Sequence, residues 1–280
     1  MEGISVHLTV SPLRSAGLSV HSLGVLSAVL VIALFAAPTF LAGNTFDEVI
    51  LTRTLGHGFV EYWNLGSAEL PPQLESAVDY WSRFHIAKAV IAALLLAVTM
   101  PLGMRLWKSY SHTGAVGVGR RSAVMVFGVS VTTVAAFSGL VLMANIQGAL
   151  APFSSLLSLL PMSGAEGDLA ATLSDVRAQL AAGRTSPVID MMNSDFGWYH
   201  AVMAVVAAVV AVIFLCSSAL LLRKYVRADS ADRRAGRVLG SFGILSVLLM
   251  LATGVTALAN MGTAADPGPA LVGFFDGGLL

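Results

Sequence analysis

Five stretches of this chain run for about 20 residues or more with almost no charge, and nothing else in the sequence limits the fold as strongly. They lie at about His21–Gly43, His85–Trp107, Ser122–Asn145, Tyr199–Leu222 and Val238–Asn260. About 20 apolar residues in a helix cross the hydrocarbon core of a bilayer. Lipid offers no hydrogen-bond partner, so a spanning backbone must satisfy itself as a helix or as a closed barrel. The runs are continuously apolar rather than alternating, which selects the helix. Charged residues make up only 11% of the chain and the mean hydropathy is +0.80, which sets aside an ordinary soluble domain. The expected fold class is therefore all-α: a polytopic membrane protein with five transmembrane helices. The first run follows Arg14, as a signal peptide would, but it is longer than a typical signal core and no A-x-A site follows it. It is expected to be an anchor.

Charge sets the expected orientation. The links at 105–121 and 223–237, together with Arg14, hold 11 of the 16 basic residues, whereas 13 of the 16 acids fall in 44–84, 149–198 and the tail. Positive loops stay in the cytoplasm, which predicts a plasma-membrane protein with its N-terminus inside and its C-terminus outside.

The chain also repeats itself. At an offset of 115 residues His85 falls on His200, Asn145 on Asn260, Tyr110 on Tyr225, Phe127-Gly128 on Phe242-Gly243, Gly139 on Gly254 and Pro152 on Pro267. Each copy is apolar segment, basic link, apolar segment, so a tandem parallel two-helix hairpin repeat is expected. The chain then divides into a 1–43 N-terminal segment with the first span, a 44–84 extracytoplasmic loop, hairpin A at 85–148, a 149–198 extracytoplasmic loop, hairpin B at 199–263 and a 264–280 extracytoplasmic tail. In the first loop Pro71-Pro72 is expected to start a helix that runs straight into the second span, with a kink at Pro101. In the second loop Leu169, Leu173, Val176 and Leu180 recur at helical spacing. They predict an amphipathic helix over 167–182, stopped at Gly183 and lying either on the membrane or over the bundle.

Counting 23 residues outward from each cytoplasmic end brings His85, His200, Asn145 and Asn260 to one level. At 1.5 Å per residue that level is about 35 Å away, the outer edge of the membrane. Asn44 is expected to join them from the first span. Lys88, one face along from Trp81 and His85, is a basic residue well inside an apolar run, a costly position unless it snorkels or finds a partner. This polar layer has two readings. In one, His85, His200, Asn145, Asn260, Lys88 and Asn44 form a ligand site or polar network, and His85 with His200, Asp79 and Asp195 could ligate a metal. In the other, the same residues cap helix ends and sit in the headgroup zone. No cofactor is predicted, and metal or haem enters only through the first reading.

The chain has no P-loop, H-E-x-x-H, C-x-x-C, G-x-S-x-G or dinucleotide fingerprint, and its zero net charge gives no case for nucleic acid. Cys216 is the single cysteine and can form no intrachain disulfide. The pattern resembles uncharacterised multi-pass integral membrane proteins of actinobacteria, a resemblance that implies no activity. The run Trp81-x-x-x-His85-x-x-Lys88 is similar to small four-helix anthrone-oxygenase-like membrane proteins, over about eight residues and with a different number of spans. The expected function is a binding or accessory role, working through the extracytoplasmic loops on a lipid, a membrane-protein partner or a second copy of the chain. One alternative is an extracytoplasmic-facing membrane enzyme or redox or metal protein centred on His85 and His200. Another is a small-solute channel or transporter.

Overall fold

A computed structural model describes residues 18–112, 118–227 and 233–278. Arg14, Asp229 and Asp232, which enter the charge argument, lie outside the described residues, as do parts of the 1–43 segment, both links and the tail. Among the described residues the chain is all helical, with no strand. Nine helices follow one another there: α1 Val20–Leu41, α2 Glu48–Leu65, α3 Pro72–His112, α4 Val118–Leu150, α5 Pro152–Leu157, α6 Gly167–Ala181, α7 Pro187–Val226, α8 Arg233–Ala265 and α9 Gly268–Phe275. Five of them, α1, α3, α4, α7 and α8, are long and apolar enough to cross a membrane.

The bundle consists mainly of two hairpins, α3 with α4 and α7 with α8, and α1 lies against α3. Residues at the 115-residue offset open and close corresponding helices: Pro72 and Pro187 begin α3 and α7, and Leu150 and Ala265 end α4 and α8. The helix that starts at Pro72 does run unbroken through His85, and Pro101 lies inside it. At 41 residues α3 is about 60 Å long, about twice the thickness of a bilayer's hydrocarbon core. The same holds for α7. It starts at Pro187, with the Ser186 side chain capping the Ile189 amide at 3.2 Å, twelve residues before the apolar run at Tyr199 begins. The 149–198 segment is therefore not a loop as far as 198; its last part is helix.

The segments that join the spans fold together into a cap. Asp47 opens α2 by accepting from the Ile50 amide at 2.7 Å, and Gly66 closes it at φ 64°, a left-handed conformation that glycine adopts without strain. Leu55 and Phe59 of α2, Leu74 of α3, Leu156 of α5, Leu173 of α6 and Phe275 of α9 then form one fully buried core, with Met192 and Phe196 from the start of α7. Phe59 stacks on Phe275 with centroids 6.1 Å apart, and Tyr62 meets Phe153 edge-on at 5.7 Å. Gly58 lets α2 touch α3: a Cβ there would lie 2.9 Å from the Leu74 Cβ. Polar bonds fasten the outside. Trp63 donates to Asp175 at 2.8 Å, and Arg177 donates to the carbonyls of Phe275 and Met162 at 2.6 and 2.7 Å.

One expectation is narrowed to one of its two alternatives here, and one changes. The predicted helix over 167–182 is α6, but Thr172, Leu173 and Val176 are buried in the cap core, so its apolar face covers protein and not lipid. The Gly- and Pro-rich tail is not simply a tail. It contains α9, whose Leu271, Phe274 and Phe275 complete that core.

Tyr62 is the polar exception in the cap. Its hydroxyl is buried with no hydrogen-bond partner, and burial, with the nearby Asp195 carboxylate second, pushes its pKa up to about 12. In the unfolded chain Tyr titrates near 10. Below about pH 10 this group leaves stability unchanged with pH, and stability falls as the pH rises toward 12, because the folded state resists the ionisation that the unfolded chain undergoes. Tyr62→Phe is expected to leave the melting temperature unchanged or raised at pH 7, because it removes an unsatisfied buried hydroxyl. It should also flatten the fall in melting temperature between pH 10 and 12. A variant that melts well below the parent at pH 7 would overturn the assignment.

Candidate functional site

The residues picked out by the repeat meet where the bundle joins the cap. In α3–α4, His85 Nδ1 lies 2.8 Å from Asn145 Oδ1, and Asn145 Nδ2 donates to the Val141 carbonyl at 2.7 Å. In α7–α8, His200 Nδ1 lies 2.8 Å from Asn260 Oδ1, and Asn260 Nδ2 donates to the Thr256 carbonyl at 2.9 Å. The tautomers follow. Each amide nitrogen is spent on a carbonyl one turn back, so its oxygen faces the imidazole and each Nδ1 carries the proton that it donates. In a neutral ring Nε2 is then the acceptor. Aromatic rings hold both imidazoles from the same two positions. Trp81 and Phe84 stand edge-on to His85 with centroids at 4.7 and 5.7 Å, and Phe196 and Tyr199 do the same for His200 at 4.8 and 5.4 Å.

The two sites differ at Nε2. Beside His85 the Ser155 hydroxyl stands 3.5 Å from Nε2 and accepts from the Trp81 indole at 3.1 Å. A directed chain therefore runs from Trp81 through Ser155 and His85 to Asn145 and on to the Val141 carbonyl. At the 115-residue offset Ser155 becomes Ala270 and Trp81 becomes Phe196, so both polar groups vanish together. His200 is 9% exposed, and its Nε2 is buried with no partner. Leaving a buried acceptor unsatisfied costs about 1–3 kcal/mol. Gly148 also belongs to the first site, because a Cβ there would lie 2.7 Å from the His85 ring; its counterpart at the second is Thr263.

The other candidates lie elsewhere. Asn44 is exposed at φ 51° and donates from its backbone amide to the Thr39 carbonyl at 3.0 Å. It caps α1 in the left-handed conformation that Asn tolerates and is not part of the His–Asn pairs. Lys88 is half-buried, with its ammonium 5.2 Å from the centre of the Phe84 ring, a cation–π contact. Asp195 accepts from the Ser154 amide and hydroxyl at 2.9 and 2.6 Å, capping α5, and Asp79 is exposed. Among the described residues no three His, Cys, Asp or Glu side chains come together to hold one ion. The set of His85, His200, Asp79 and Asp195 is thus not assembled as one metal shell: each histidine is turned to its own asparagine.

Ser155 and Gly148 are the site residues that the sequence reading missed. Both were legible at the same offset, as positions where one copy differs from the other beside a shared histidine. No family model matches this chain, and no curated protein or solved structure does. The fold and the two junctions define it as an all-helical protein with five helices long and apolar enough to span a membrane.

Gly148→Ala is expected to displace the His85 ring and lower stability by about 1–3 kcal/mol, the usual cost of overpacking. Gly262→Ala, with nothing within 4 Å of its added carbon, should be neutral or slightly stabilising because alanine favours a helix. Thermal unfolding in detergent compares the two, and equal melting temperatures would remove Gly148 from the site.

Proposed function

We propose that this chain is a plasma-membrane protein built on a tandem duplication, with its N-terminus cytoplasmic and its cap outside, and that it acts as a non-enzymatic binding or accessory protein through that cap. The observation that carries this reading is the cap core. Spans can be joined by short turns, yet here six helical pieces close over one buried core and are fastened by Trp63–Asp175 and by Arg177. At the junctions each imidazole Nδ1 and each asparagine amide is engaged in holding helices together. Orientation is supported by the basic links, and the duplication by the matching helix limits and the two His–Asn pairs. Because α6 turns its apolar face inward, a partner would meet the outer, polar face of the cap. That partner is a membrane protein or a second copy of the chain.

A second reading has an observation of its own. Ser155, His85 and Asn145 stand in the order nucleophile, base and orienting amide. On that reading His85 would take the Ser155 proton as the serine oxygen attacks an acyl carbonyl, then return it to the leaving group, and water would release the acyl group.

Three measurements test these readings. In a Cys216→Ser background Ser174→Cys on α6 should react with a membrane-impermeant maleimide in intact cells, and Arg227→Cys only after permeabilisation. The reverse pattern would sink the orientation. A photoreactive side chain at Glu61 or Ser174 should then give a discrete cross-linked product whose mass distinguishes a partner from a second copy. For the second reading, a fluorophosphonate should label the parent protein but not Ser155→Ala or His85→Ala. Labelling that depends on both residues would replace the accessory role with an enzymatic one.

A further inference from the structure

The outer surface of the bundle carries a groove between α1 and α3, independent of the cap. It encloses about 310 Å³ and is lined by Leu41 of α1 and by Arg83, Ile86, Ala87, Val90 and Ile91 of α3. Its charge is confined to one end. Arg83 lies two residues before His85, where the apolar run starts, and every other lining residue is apolar. Glu75, Asp79 and Arg83 are spaced to pair along one face of the helix. The bond the structure gives the guanidinium is different: Arg83 Nε donates to the Ala42 carbonyl at 3.1 Å, one of the carbonyls that the end of α1 leaves without an intrahelical partner. That bond fixes the guanidinium at the mouth of the groove and does not use its Nη groups. No acidic residue lines the groove.

We propose that this groove is a binding site for an anionic phospholipid, with the phosphate on Arg83 and one acyl chain along Ile86, Val90 and Leu41. Guanidinium groups match phosphate oxygens with paired N–H donors. A basic residue at the membrane surface favours anionic over zwitterionic headgroups, and a side chain already held by Ala42 loses little freedom on binding. The apolar floor is continuous with the lipid-facing surface, for Val90 and Leu41 are both more than half exposed.

Native mass spectrometry of the full chain in detergent tests this, with phosphatidylglycerol and phosphatidylcholine of identical acyl chains supplied at equal concentration. Phosphatidylglycerol should be retained about fivefold more, the effect of about one basic residue at the membrane surface. Arg83→Gln should abolish the preference. Val90→Trp, which fills the groove without touching Arg83, should also lose it, and this variant decides the matter if Arg83→Gln does not fold. Glycerol phosphate without acyl chains should not compete. Equal retention of the two lipids, a preference that survives Val90→Trp, or displacement by glycerol phosphate alone would each overturn the proposal.

Discussion

Hydrogen-bond satisfaction where a bundle leaves an apolar run is the constraint on which this structure depends. Within a span the backbone is paired inside its own helix, except for the carbonyls that would accept from Pro38 and Pro101. At the ends of the runs polar side chains take over that task. His85 and His200 each cross to an asparagine of the partner helix, and each asparagine anchors itself on its own backbone one turn back. Arg83 satisfies the end of α1, Gln147 reaches the Tyr199 carbonyl and Trp198 the Leu150 carbonyl. These bonds join α1, α3, α4, α7 and α8 at the level where the cap begins.

The two hairpins solve the same problem with different completeness. Around His85 a serine and a tryptophan extend the chain of donors, and a glycine makes room for the ring. Around His200 the equivalents are alanine, phenylalanine and threonine, and one acceptor is left without a partner. The shared half, imidazole to amide, is what holds two helices together. The half that differs sets the surroundings of each Nε2. A further difference fits the same pattern: Ser82 donates to the Ala149 carbonyl in the first hairpin, whereas the corresponding Gly197 brings α7 close to the Ala264 carbonyl in the second.

The cap depends on the bundle for its position and on itself for its cohesion. Its core draws on α2, α5, α6 and α9 together with the projecting first turns of α3 and α7, so the two longest helices carry both bodies. This is why α6 has no apolar face left for a membrane, and why a short, Gly-bounded helix near the end of the chain matters to the fold: Phe275 fills the space beside Phe59.

Much was readable from the sequence alone, because lipid enforces simple rules. Length and lack of charge determined that there are five apolar helices, the offset of 115 residues marked His85, His200, Asn145 and Asn260 as equivalent positions, and Pro72 marked the start of α3. Leu169, Leu173, Val176 and Leu180 likewise announced α6. Only the tertiary structure decided what those residues touch. Asn44 shares the spacing of the other asparagines, yet it caps α1, because a left-handed helix end and a cross-helix bond look alike in one dimension. Ser155 is 70 residues from His85 in sequence and meets it only because α5 folds back onto α3. The cap core was similarly hidden: α5 and α9 are short pieces, α2 scatters its apolar residues among polar and charged ones, and they become a core only when packing brings them into contact.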